Sequence, residues 1–282
     1  MAFPRPDPER TCLVTGASSG IGAELARQLA ARRLGVTLVA RRAEALAALG
    51  AELERDHGVR VEVLPADLTD PGARAGLLDQ LADRGLAVDV LVNNAGFSTW
   101  GPVADADRQR ELALVRTDIE AVVDLCTLCT PGMVERGRGA VLNVASTAGF
   151  QPLPGQAAYG AAKAFVLSYT EALRGELSGR GVAVTALCPG PVDTGFAAAA
   201  GASTEEFTEY LPRFMWRSAA LVAAQGVAGL VKGKAVVVPG LPNAVGASLG
   251  RLAPRRAVVA VMARQHPALR RPHPLPADDQ GR

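Results

Sequence analysis

Residues 15–22 read Thr15-Gly16-Ala17-Ser18-Ser19-Gly20-Ile21-Gly22. An apolar, β-branched run at 12–14 precedes them, and an Ala/Leu-rich stretch at 23–32 follows, with Ile21, Leu25 and Leu29 recurring every fourth residue. A strand, a glycine-rich turn and a helix in direct succession make an anion site, because the free N–H groups of a helix N-terminus point at whatever the turn admits. Gly16 permits the sharp exit from the strand, Gly20 lets the backbone approach a pyrophosphate, and Gly22 allows the helix to pack closely. Ser18, Ser19 and Ile21 complete the loop. The spacing is Gly-x-x-x-Gly-x-Gly, and Gly-x-Gly-x-x-Gly is absent.

Outward from this turn, short β-branched runs alternate with longer helical stretches. Strands are predicted at 12–14, 36–40, 59–64, 88–92, 141–145, 182–187 and 235–238. Several are too uniformly apolar to have a wet face, so helices are expected on both sides. The fold class is α/β, a Rossmann-type doubly wound parallel sheet of about seven strands. One oxidoreductase-sized domain is expected over residues 10–265, flanked by disordered segments at 1–9 and, rich in proline, at 266–282.

The 282 residues carry 30 Lys and Arg against 28 Asp and Glu. That balance gives no reason to expect nucleic acid as a partner. Four cysteines are too few and too irregularly spaced for a disulfide framework, and no apolar run suits a signal peptide or a membrane span. A cytoplasmic location, a small-molecule partner and no stable membrane insertion are expected.

Beyond the glycine turn come Asp67-Leu68, Asn93-Asn94-Ala95-Gly96, Ser146, Tyr159-x-x-x-Lys163 and Pro189-Gly190, each after a predicted strand or on the helix following one. In this order and with Thr-Gly-x-x-x-Gly-x-Gly, they resemble the short-chain dehydrogenase/reductase family over residues 11 to about 195. The resemblance implies an oxidoreductase with a dinucleotide bound by Gly16, Ser18, Ser19, Gly20, Ile21, Gly22, Asp67, Leu68, Asn93, Ala95, Gly96, Tyr159, Lys163, Pro189, Gly190, Val192 and Thr194. Within that set it places Asp67 at the adenine, Asn93 at the ribose, and Val192 and Thr194 at the carboxamide. It also implies a homodimer or homotetramer.

After the second strand, where an acid would select NAD, the chain reads Val39-Ala40-Arg41-Arg42. Arg41 and Arg42 offer planar donors to a 2′-phosphate and no carboxylate repels it, so NADP(H) is the expected cofactor.

Reducing a carbonyl by hydride leaves an alkoxide, so a proton donor must stand beside the oxygen. Tyr159 and Lys163 share a helix face, and the ammonium is expected to draw the phenol toward the working pH range. Only three tyrosines and three lysines occur in the chain, so such a pair arises by chance roughly 3 times in 100. By resemblance, Ser146 holds the substrate oxygen; its other reading is a cap after the strand. One departure stands out: where the family usually has an asparagine that holds a water linking lysine to solvent, this chain has Asp118. An ionised Asp118 would oppose phenolate formation.

Eight of the twelve aromatic residues, Phe97, Trp100, Phe150, Phe196, Phe207, Tyr210, Phe214 and Trp216, cluster after these motifs. An apolar substrate pocket is expected from Phe97, Trp100, Phe150 and Phe196, with residues 195–217 as a lid. Cys126-x-x-Cys129 reads as two buried thiols, with no metal site. The stretch 246–265 is expected to cover the body, with contact at a membrane surface as the alternative. The leading function is NADP(H)-dependent interconversion of a carbonyl and an alcohol on a fairly apolar substrate. A non-enzymatic NADP(H) sensor or scaffold, and a reductase of C=N or C=C bonds, are the alternatives.

Overall fold

The strands are β1 (Arg10–Thr15), β2 (Val36–Ala40), β3 (Val61–Pro65), β4 (Ala87–Asn93), β5 (Gly139–Val144), β6 (Val182–Leu187) and β7 (Val236–Val237). They form one sheet in the order β3-β2-β1-β4-β5-β6-β7, all parallel. This computed structural model describes residues 3–196, 200–201 and 211–270.

Alternate residues of each strand feed two cores. Val14, Leu38, Val92 and Leu142 face one side, against α1 (Gly20–Ala30), α2 (Ala43–His57) and α7 (Ala219–Val231). Leu13, Val39, Leu91 and Val141 face the other, against α3 (Pro71–Ala82), α5 (Ala121–Glu135) and α6 (Ala157–Glu176). The period of two along each strand therefore becomes two helical layers around a doubly covered sheet.

The first helix begins at Gly20, three residues before the predicted start, because the glycine turn itself supplies the first helical turn. Helix α4 (Arg108–Val115) runs through a π-helical turn at Arg116–Glu120 directly into α5. Three further helices, α8 (Leu241–Leu252), α9 (Arg255–Gln265) and α10 (Pro267–Arg270), close the described chain. Cys12, Cys126, Cys129 and Cys188 are free and buried. Burial pushes the Cys126 and Cys129 thiols up to about 12, which fits inert core residues.

Two boundaries differ from expectation. Residues 3–9 are anchored: Phe3 packs on the core, Pro4 is buried, and the Asp7 carboxylate pairs with Arg138 at 3.1 Å. At the other end His266 is buried, its ring 4.2 Å from that of Trp100, because Gly155 leaves room for the imidazole. Residues 271–282 of the expected tail lie outside the described residues. No helix among the described residues is long and apolar enough to cross a membrane.

Candidate active site

The order of strands reverses between β1 and β4, and it is beyond the carboxyl ends at such a point that doubly wound sheets bind ligands. Thr15, the last residue of β1, ties the two strands together. Its hydroxyl donates to the Val92 carbonyl at 3.2 Å and accepts from the Asn94 and Ala95 amides at 2.9 and 3.0 Å. The Asn94 side chain donates to the Thr15 carbonyl at 3.0 Å, bracing the glycine turn from behind. Gly16 adopts φ +64°, and a Cβ there would lie 2.9 Å from the Ala95 backbone. A Cβ on Gly22 would collide with the Gly16 carbonyl oxygen. Gly20 turns with φ +56° under Thr194, so the segment after β6 folds over the loop.

On the flank of this cradle, Arg42 donates to the Ser18 hydroxyl at 3.0 Å and to the Ser19 hydroxyl at 2.7 Å. Arg41 is exposed beside it. Asp67 accepts from the Thr69 amide and hydroxyl, both at 2.9 Å; these bonds, the amide's first, hold its carboxyl below the usual range, and Arg41 adds to the effect. Leu68 is buried, and its carbonyl accepts from Arg74. An open glycine turn, a helix N-terminus and a guanidinium beside two hydroxyls together suit a pyrophosphate and a second, terminal phosphate.

Asn93, the last residue of β4, pairs in register with Asn143, and its side chain points into the sheet, donating to Asn143 Oδ1 at 2.9 Å. Through its side chain it braces β4 against β5. Neighbouring Asn94 is the asparagine that braces the glycine turn.

Ser146 follows β5 and caps a short 3₁₀ turn, Thr147–Phe150, accepting from the Ala148 amide at 3.1 Å. Its hydroxyl also reaches the Pro189 carbonyl at 3.4 Å, and Ser146 pulls the phenol pKa of Tyr159 down against the larger effect of burial. The capping reading of Ser146 holds. Pro189 further accepts from the Thr147 amide at 2.9 Å, and Gly190 leaves room for Asn243. Val192 bridges to Arg217, and the Thr194 hydroxyl accepts from the Phe196 amide at 3.3 Å.

Lys163 stands one helical turn after Tyr159 on α6, with Nζ 5.6 Å from the phenol ring centre. Its ammonium donates to the Val144 carbonyl at 3.2 Å and pairs with Asp118 Oδ2 at 2.9 Å. Asp118 is fully buried in the π turn, under Gly96, where any side chain would strike its carboxylate. The Phe97 amide donates to its other oxygen at 3.1 Å.

Electrostatics correct one expectation. Burial is the largest influence on Tyr159 and raises the phenol above its ordinary value; Lys163 and Ser146 pull it down, and Asp118 pushes it up. The net direction is upward, not toward neutrality. Burial pulls Lys163 down, but Asp118 and Tyr159 outweigh it and hold the ammonium charged. Burial likewise raises the Asp118 carboxyl, against the pull of Lys163. Asp118→Asn removes the opposing charge, so the alkaline limb of the kcat/KM profile for carbonyl reduction should move to lower pH, with neutral-pH turnover kept or raised. A loss exceeding about 10² in turnover would give the carboxylate a positive role in the reaction.

Aromatic side chains close over the phenol. Phe196 packs on Tyr159, with ring centres 5.5 Å apart, and Phe97 and Met262 join the same cluster. Trp100, Phe196, Leu211 and Trp216 form a second cluster adjoining it. Phe150 does not line this space, because the 3₁₀ turn directs it into the core between the sheet and α6. Phe214 is exposed. Phe207 and Tyr210, with the remaining residues 197–199 and 202–210 of the expected lid, lie outside the described residues. Met262, from the C-terminal helix α9, had no signal in the sequence.

The family model for short chain dehydrogenase matches residues 10–205. The chain belongs to the short-chain dehydrogenase family. Sulfoacetaldehyde reductase 2 of Chromohalobacter salexigens is 38% identical over 186 residues, 65% of this chain and 73% of that protein. A short-chain dehydrogenase from Sphingobium yanoikuyae, solved with NADPH, superposes with a TM-score of 0.75 at 32% identity, covering 95% of this chain and 99% of that one. The bulky-bulky ketone specific alcohol dehydrogenase from Comamonas testosteroni superposes with a TM-score of 0.71 at 28% identity, over 92% and 93% of the two chains. The family match and these similarities place this short-chain dehydrogenase among enzymes of oxidoreduction.

Proposed function

We propose that this short-chain dehydrogenase interconverts a carbonyl and an alcohol with NADP(H), on a fairly apolar substrate. The observation that carries the reading is that Tyr159 and Lys163 stand one turn apart on α6, with the Lys163 ammonium on the Val144 carbonyl at the end of β5, two residues before Ser146. When bound, the nicotinamide supplies or accepts hydride at the carbonyl carbon. Ser146 hydrogen-bonds the substrate oxygen and orients it toward Tyr159. The phenol gives its proton to that oxygen during reduction, and takes it back during oxidation. Lys163 stabilises the transient phenolate, and the paired Asp118 charge partly offsets that effect. Phe196, Phe97 and Met262 exclude water from the reacting groups and favour an apolar substrate.

Gly16, Gly20 and Gly22 admit the pyrophosphate, and Arg42 with Ser18, Ser19 and Arg41 takes the 2′-phosphate. The reading extends to a cytoplasmic homo-oligomer. Exposed Leu128 on α5 and exposed Phe165, stacked on Tyr169 of α6, support an assembly through those helices.

Stoichiometric NADPH oxidation against a panel of aryl and long-chain ketones tests the function, with imines and enones as comparison arms. Turnover confined to C=N or C=C bonds, or cofactor binding without any turnover, would overturn it. Arg42→Ala removes charge-assisted bonds worth about 1.5–3 kcal/mol, so NADPH affinity should fall about 10- to 100-fold while NADH affinity stays level. Equal losses for the two cofactors in a titration would remove Arg42 from the phosphate site.

A further inference from the structure

Helix α8 turns one face inward and leaves the other bare. Asn243 and Ala247 are buried, and the Asn243 amide anchors the helix by donating to the Met215 and Pro239 carbonyls, both at 2.9 Å. On the opposite face Leu241, Val245, Leu249 and Leu252 follow at helical spacing and are 78%, 51%, 63% and 82% exposed. Val259 and Val261 of α9 add to the exposed apolar surface.

Charge accompanies this stripe. Residues 241–270 hold five arginines, Arg251, Arg255, Arg256, Arg264 and Arg270, and no Asp or Glu. All five are exposed. The rest of the chain keeps 25 Lys and Arg against 28 Asp and Glu, so the cationic excess lies wholly in this segment. An apolar face bordered by arginines, with no acid to repel phosphate, has the composition of a helix lying in a lipid headgroup layer. An oligomer face needs no such one-signed border.

We propose that the α8–α9 surface docks on an anionic lipid membrane, with the leucines of α8 in the acyl boundary and the arginines on lipid phosphates. Because Met262 of α9 also packs in the cluster over Tyr159, the docked segment forms part of the roof of the active site. Apolar substrate dissolved in the bilayer then meets that roof directly.

Flotation of the full chain with phosphatidylcholine vesicles, with and without phosphatidylglycerol, reads the proposal. Binding is expected only with phosphatidylglycerol and should weaken as salt rises. Leu249→Asp with Leu252→Asp, and separately Arg251→Glu with Arg255→Glu and Arg256→Glu, should each lower the bound fraction at least tenfold. All five side chains are exposed, so circular dichroism and melting should be unchanged. Absence of wild-type binding, equal binding to neutral vesicles, or unaltered binding by both variants would overturn the proposal. So would a wild-type oligomer that dissociates in the leucine variant without binding vesicles, which assigns the face to a second copy. Binding seen only after removal of residues 271–282 would assign it to the chain's own tail.

Discussion

Lys163→Met is expected to abolish detectable turnover and to lower the unfolding free energy by about 3–5 kcal/mol. The loss of activity follows from Tyr159, which would keep its burial and the opposing Asp118 charge but lose the cation that offsets both. The stability effect comes from Asp118 itself. Its carboxylate is fully buried, and its Oδ2 lies 2.9 Å from the ammonium, the only cation in contact with it among the described residues. Without Lys163 the carboxylate retains the Phe97 amide and little else. Burial already holds this carboxyl above its ordinary value, and Lys163 is the main influence opposing that rise. A folded-state pKa raised further means stability that is present in acid and lost as pH rises through that value. The deficit of the variant should therefore be small in acid and largest at neutral and alkaline pH. Asp118→Leu in the Lys163→Met background should restore most of the stability and none of the activity. Urea denaturation across pH checks both statements; a deficit independent of pH, unrelieved in the double variant, would show that the ion pair is not its source.

Much of this arrangement is legible in the chain because strand and helix periods differ. Runs such as 36–40 and 182–187 are uncharged and mostly apolar, with no alternation of polar residues, which suits a doubly covered strand, and both appear with those bounds. The glycine turn is legible for a similar reason: three positions without side chains between a strand and a helix need a close approach to justify them. What escapes is direction. Asn93 and Asn94 are neighbours, and pairing register alone decides that the first enters the sheet beside Asn143 while the second braces the turn. Phe150 follows the Ser146 motif closely, yet a 3₁₀ turn rotates it into the core.

Long-range contacts escape as well. Met262 and His266 reach the site region from the last helices, and no local pattern marks them. The sign of the Tyr159 shift belongs to the same class. The spacing of Tyr159 and Lys163 announces an attractive cation, but the depth of burial and the π turn that brings in Asp118 depend on packing from other elements.

The central claim is that the Tyr159 hydroxyl protonates the substrate oxygen. The Tyr159 ring packs against Phe196 and lies near a buried ammonium. Phenylalanine keeps the ring and its packing and removes only the proton, so fold and cofactor binding should survive. General acid catalysis by a placed side chain is worth about 10²–10⁴ in rate. The direct measurement is kcat/KM of Tyr159→Phe for reduction of an apolar ketone, with NADPH affinity titrated on the same preparation. A fall of about 10² or more with NADPH affinity within about twofold of wild type is the expected result. Undiminished kcat/KM would contradict the claim and require another proton donor at the site.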